Sequence, residues 1–214
     1  MTKLLALLGA AALAFSAAAQ NLGPDQLVQK ITDEILAAIK SDKQLAAGDK
    51  QKATKLAEEK VLPYIDFEQA TRLAVGRAWR DAAPEQKQRL VTEFRNMLVR
   101  TYTNSIESYQ GQTMKVLPAR GKQDPDDTAV RVQFVRAGGQ PLPIDFTMHQ
   151  KDGSWKVYDI TVEGVSLVMT YRSEFDAVVK QEGVDGLIKR LAQKNVPAAM
   201  GGTAPAKPDK PDKK

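Results

Sequence analysis

The chain has 214 residues, no cysteine, a single histidine and a formal net charge of +5. These counts exclude disulfides and argue against a Cys/His zinc centre. Lys3 and the Lys-rich end from Lys207 hold most of the charge, and +2 remains between them, too little for the concentrated basic face of a nucleic-acid binder.

Lys3, an apolar run over 4–15 and the small residues Ala17-Ala18-Ala19 predict a secretory signal peptide over 1–19, cut before Gln20. The run is too short to span a bilayer. The expectation is an exported, soluble chain: one domain over 20–197 and a disordered Pro/Lys-rich tail over 198–214. Without disulfides that domain must rest on its hydrophobic core, for which ~195 residues suffice.

Pro24 opens the first helix, and Leu27, Val28, Ile31, Ile35, Leu36 and Ile39 recur at helical spacing. Gly48 closes this segment. Asp49 caps a polar second helix whose thin stripe is Ala53, Leu56, Ala57 and Val61, ended by Pro63. Asp66 caps a third, with Gln69 at capping-box spacing and an apolar face of Leu73, Val75, Ala78 and Trp79. Pro84 begins a long fourth helix in which Leu90, Phe94, Leu98, Tyr102 and Ile106 recur every four residues. So wide a stripe faces a core.

Past Gly111 the period changes to two. A short strand is predicted over 113–117. Val130, Val132 and Phe134 then alternate with polar residues, as do Ile144, Phe146 and Met148. Gly138-Gly139 and Asp152-Gly153 are hairpin turns. The next strand, from Trp155 to Val162, is apolar at both parities: Trp155 and Val157 on one face, Tyr158, Ile160 and Val162 on the other. Closing helices over 166–180 and 184–194 are separated at Glu182-Gly183. Helices, then an antiparallel sheet, then helices predict an α+β fold: a twisted antiparallel sheet of about four strands wrapped by N-terminal and C-terminal helices. The pattern fits a filled core as well as a cavity.

Catalytic chemistry is sparse. His149 falls on the polar parity of its strand and reads as a surface residue. No serine sits in a G-x-S-x-G context and no Gly-rich phosphate loop is present. Tyr158 and Asp159 together could run proton transfer in an apolar pocket. On a regular strand, however, neighbours point to opposite faces, so Asp159 reads as forming a structural hydrogen bond or salt bridge. The reading is a non-enzyme with no catalytic residue, no metal and no cofactor.

Three blocks carry a likeness to a known family. The first runs over 66–80, with Gly76 and Trp79 at the family's spacing; the second is the long helix, with Leu98, Tyr102 and Tyr109. The third and most specific runs over 155–175, with Val162-Glu163-Gly164-Val165-Ser166-Leu167 and Tyr171-Arg172. In these the chain resembles the MlaC family, the periplasmic phospholipid-binding component of the Mla lipid transport system, also called the toluene-tolerance family. The tail has no part in the likeness.

The resemblance implies a fold distantly like the nuclear-transport-factor cone, with an apolar slot. It implies a periplasmic carrier with bound phospholipid as cargo. Its partners would be an outer-membrane lipoprotein–porin complex and an inner-membrane complex of an MCE-domain ring and an ATPase, and its role the maintenance of outer-membrane asymmetry. On this reading the lipid tails lie against Leu73, Leu90, Phe94, Leu98, Tyr102, Ile106, Tyr158, Ile160, Val162 and Leu167. Ser166 and Arg172 form the headgroup mouth, beside a strand-to-helix junction suited to phosphate. Another hydrophobic cargo, such as a hopanoid or sterol-like lipid, would use the same slot. A periplasmic adaptor without a ligand would instead have a filled core.

Overall fold

The computed structural model describes residues 22–103, 111, 113–118, 126–135 and 139–195. The expected signal peptide and tail, and Ile106, Tyr109 and Gly138, lie outside the described residues. The elements run α1 (Pro24–Ser41), α2 (Lys43–Ala46), α3 (Lys50–Lys60), a 3-10 turn (Leu62–Tyr64), α4 (Phe67–Val75), α5 (Ala78–Asp81) and α6 (Pro84–Thr103). They continue with β1 (Thr113–Val116), β2 (Asp127–Val135), β3 (Leu142–Lys151), β4 (Ser154–Val162), β5 (Val165–Ser166) and α7 (Leu167–Lys194).

The fold is α+β. Its sheet is antiparallel with five strands in the order β1-β2-β3-β4-β5, one more than expected. The addition is the two-residue β5, which turns back on β4 through Glu163-Gly164, both at positive φ. The Asp152-Gly153 turn joins β3 to β4 as the sequence predicts.

Two helices break where composition did not announce it. Asp42 ends α1, and its carboxylate accepts from the Gln44 and Leu45 N–H groups to start α2. The third predicted helix stops at Gly76, whose φ of 67° and ψ of −128° only glycine adopts without strain, and α5 follows as a separate turn. Within α7, Gly183 has φ 71° and ψ −174°, so the two closing helices meet there as expected.

Apolar residues form three clusters. α4, α6 and α7 pack Leu90, Phe94, Met97, Phe175, Leu187 and Leu191 into the largest. α1 lays Leu27 and Val28 on the sheet face that carries Val130, Val132, Met148, Trp155 and Val157. The smallest lies among α1, α2 and α3, around Ile39, Leu45 and Ala53.

The register of β4 corrects the expected faces. Thr147 pairs with Asp159, and Met148 pairs with Val157, which leaves Tyr158 as an extra residue. This is a β-bulge, and it resets the parity of the strand. Ile160 and Val162 pair with Phe146 and Ile144, so they share the face of Met148 and Val157 instead of opposing it. Tyr158 and Asp159 fall together on the other side. The Tyr158 hydroxyl donates to the Asp127 carboxylate at 2.9 Å, and Asp159 opposes Thr147.

Candidate functional site

A half-enclosed cavity of about 240 Å³ lies between the bulged strand and the helices. From α6 it is lined by Phe94, Leu98, Val99, Tyr102 and Thr103. Ala57 and Val61 come from the α3 side, Leu62 and Ile65 from the turn that follows, and Phe67 and Ala70 from α4. β4 supplies the run Val157 to Ile160, and the start of α7 supplies Leu167 and Val168. The bulge sets Tyr158 and Asp159 side by side on one face, which a regular strand does not do.

The wall is held by polar bonds placed around it. Ile65 bridges to Val157, and the Asp66 N–H donates to the Val157 carbonyl at 2.8 Å, so α4 starts at the strand. The Asp66 carboxylate then caps α4 through the Gln69 N–H at 3.0 Å and meets Lys151 Nζ at 2.9 Å and His149 Nε2 at 3.1 Å. Burial pushes this carboxyl up, but the Gln69 N–H, Lys151 and His149 outweigh it and hold it below the ordinary carboxylate range. His149 is therefore no surface residue. It is half-buried on Asp66, with its ring edge-on to Tyr158 at 5.1 Å.

Among the described residues, Asp159 is the one charged residue on the cavity wall. Its carboxylate accepts from the Ile160 N–H at 2.8 Å, the Val168 N–H at 3.1 Å and the Ser166 hydroxyl. These bonds tie β4 to the start of α7, as the structural reading of Asp159 expected. Burial, then the Asp127 carboxylate, pushes the Tyr158 phenol up to about 12. Burial also raises Tyr102 and Tyr171, which hydrogen-bond each other. Thr103 donates back to the Val99 carbonyl at 2.7 Å. The wall thus presents neutral phenols and a fully engaged carboxylate. Bulged or not, Tyr158 and Asp159 form no acid–base pair: each bonds other groups.

Of the residues singled out for lipid tails, Phe94, Leu98, Tyr102, Tyr158, Ile160 and Leu167 line this cavity. Leu90 does not: it is fully buried among α4, α6 and α7. Leu73 packs against the same cluster. Val162 pairs with Ile144 and Val165 beyond the wall, and Ile106 lies outside the described residues. The two mouth residues are both engaged internally. Ser166 caps α7, accepting from the Met169 N–H while donating to Asp159. The Arg172 guanidinium donates to the Leu73 carbonyl at 3.3 Å, beside Gly76 at the end of α4.

The chain matches the model of the MlaC protein family over residues 29–193. It belongs to the MlaC family. The MlaC binding protein of the intermembrane phospholipid transport system of Haemophilus influenzae is 23% identical over 173 residues, covering 79% of this chain and 81% of the relative. The toluene tolerance protein ttg2D of Pseudomonas putida is 27% identical over 163 residues, covering 76% and 75%. A phospholipid-binding protein from Ralstonia solanacearum, solved in complex with a phospholipid, is 35% identical. It superposes with a TM-score of 0.74 over 81% of this chain and 97% of its own.

Residues from 57 to 70 supply six of the cavity's positions, and none is among those the sequence assigns to lipid tails. The α3 stripe was visible but thin, and the turn after it carries no helical period. Only its contiguous Val61-Leu62 and Ile65 hinted at burial.

Proposed function

We propose that this protein is a periplasmic phospholipid carrier: it holds acyl chains in the cavity and moves lipid between outer- and inner-membrane complexes, which maintains outer-membrane asymmetry. The observation that carries the reading is the apolar cavity of about 240 Å³ whose one carboxylate is spent on internal bonds. The relatives supply the cargo class, since the Ralstonia neighbour holds a phospholipid.

The physical need for such a cavity is plain. Burying one methylene is worth ~0.8 kcal/mol, so two chains of ~15 methylenes carry on the order of 24 kcal/mol of exposure penalty in water. Unaided transfer through an aqueous gap is correspondingly slow. An engineered apolar cavity of roughly 150 Å³ already admits benzene, and this one, at about 240 Å³, is larger and lined almost wholly by apolar and aromatic side chains. Family membership supports partners of the stated kind, an outer-membrane lipoprotein–porin complex and an inner-membrane MCE-domain and ATPase complex.

The test is transfer between vesicles. Donor vesicles carrying a self-quenched fluorescent phospholipid are mixed with plain acceptors. The chain should speed dequenching in proportion to its concentration, without vesicle fusion. A rate unchanged from the protein-free control would contradict the carrier role.

A further inference from the structure

We propose that Arg95 is the residue that receives the phosphate of the bound lipid, beside the cavity-lining ring of Phe67. This inference rests on the carrier reading. Its argument begins with elimination. A chain held in an apolar cavity leaves its phosphate at the rim, where a cation with free donors stabilises it best. Ser166 is spent on Asp159 and the Met169 N–H, and Arg172 on the Leu73 carbonyl. None of Ser166, Arg172 and Arg95 is itself a lining residue, but Arg172 is held against Leu73 and Gly76, which lie off the cavity wall, whereas Arg95 lies over Phe67, which is part of it.

Arg95 fits on three counts. It stands on α6 one turn before Val99, on the same helix stripe as that lining residue. Its guanidinium lies 5.8 Å from the centroid of the Phe67 ring, and Phe67 is itself part of the cavity wall. Its one hydrogen bond among the described residues is a long one, 3.3 Å from Nη1 to the Asn96 side-chain oxygen, and among those residues it pairs with no carboxylate. The fork is therefore oriented by an aromatic face, half-buried, and left with donors to give. That is a pre-organised arrangement for bidentate contact with phosphate.

Among the described residues, three other cations next to wall residues or their bonding partners are already engaged. Lys156 donates to the Pro63 carbonyl at 2.7 Å, Lys60 pairs with Glu34 at 3.0 Å, and Lys151 serves Asp66.

The experiment separates phosphate recognition from tail binding. The full mature chain, stripped of lipid, is incubated with vesicles containing equal phosphatidylglycerol and diacylglycerol of the same acyl chains. The lipids it extracts are weighed by native mass spectrometry. The unaltered protein should take phosphatidylglycerol over diacylglycerol. Arg95→Gln should lower that ratio about tenfold, the worth of one charge-assisted hydrogen bond, and Arg95→Lys should restore part of it. Arg89→Gln, an exposed position on the same helix, should leave the ratio unchanged.

An unchanged ratio in Arg95→Gln, in protein that melts at the normal temperature, overturns the assignment and leaves the carrier reading standing. If Arg95→Gln melts lower, the Arg95→Lys protein decides: equal ratios in Arg95→Lys and Arg95→Gln proteins overturn it. Failure of the unaltered protein to extract either lipid would instead overturn the carrier reading. Inorganic phosphate alone should not raise the melting temperature. A rise abolished by Arg95→Gln would mark a free-anion site and overturn the lipid assignment.

Discussion

Ala57→Leu distinguishes a cavity from a filled core by the sign of its effect. Ala57 lines the cavity and belongs to none of the three packed clusters. The substitution adds three carbons at a helical position. If they enter empty apolar space they gain ~0.8 kcal/mol each, about 2.4 kcal/mol in all. Fixing the longer side chain takes back roughly 0.5–1 kcal/mol, and the lower helix propensity a few tenths more. The lipid-free protein should gain about 1–1.5 kcal/mol, seen in calorimetry as a melting temperature raised by about 3–5 °C for a chain of this size. The same carbons displace about three methylenes of cargo, which weakens lipid binding by ~2.4 kcal/mol, or roughly fiftyfold. In a filled core the added volume would instead cost about 1–3 kcal/mol through overpacking. A lowered melting temperature in stripped Ala57→Leu protein would refute the cavity.

Three further outcomes follow from contacts around the site. Gly76→Ala should destabilise by about 2 kcal/mol, because the backbone there is strained for any residue with a Cβ; urea melts should give nearly the same loss in an Arg172→Ala background, since the new Cβ meets only the flexible end of Arg172. Asp66→Ala should cost about 3 kcal/mol by the same measurement, from a lost helix cap and lost charged hydrogen bonds to Lys151 and His149. In pH-dependent melts, the depressed Asp66 carboxyl contributes stability above its unfolded pKa near 3.8 and loses it as pH falls below that, whereas Tyr158, raised to about 12, makes stability fall as pH climbs from 10 towards 12. The acid loss should be smaller in Asp66→Ala, and the alkaline loss reduced in Tyr158→Phe.

Much of this architecture is legible in the sequence because period reports faces. The four-residue recurrence from Leu90 to Tyr102 became α6, and the alternation around Phe146 became β3. Period does not report what a face meets. Leu90 and Phe94 share one stripe, yet Leu90 is sealed in the core while Phe94 borders empty space as well. The bulge at Tyr158 carries no glycine or proline to announce it. It arises from how β4 meets β3 and Ile65, contacts distant in the chain. Arg172 looked like a mouth residue because it follows a strand-to-helix junction. The fold brings it instead to the end of α4, ninety-nine positions earlier in the chain.

The carrier reading stands or falls on cargo. Native mass spectrometry of the chain, expressed from its full sequence and purified without detergent, tests it most directly. The account predicts the mature chain carrying the added mass of phospholipid, with no lipid supplied during preparation. Spectra that show only the bare chain across several mild preparations would contradict it.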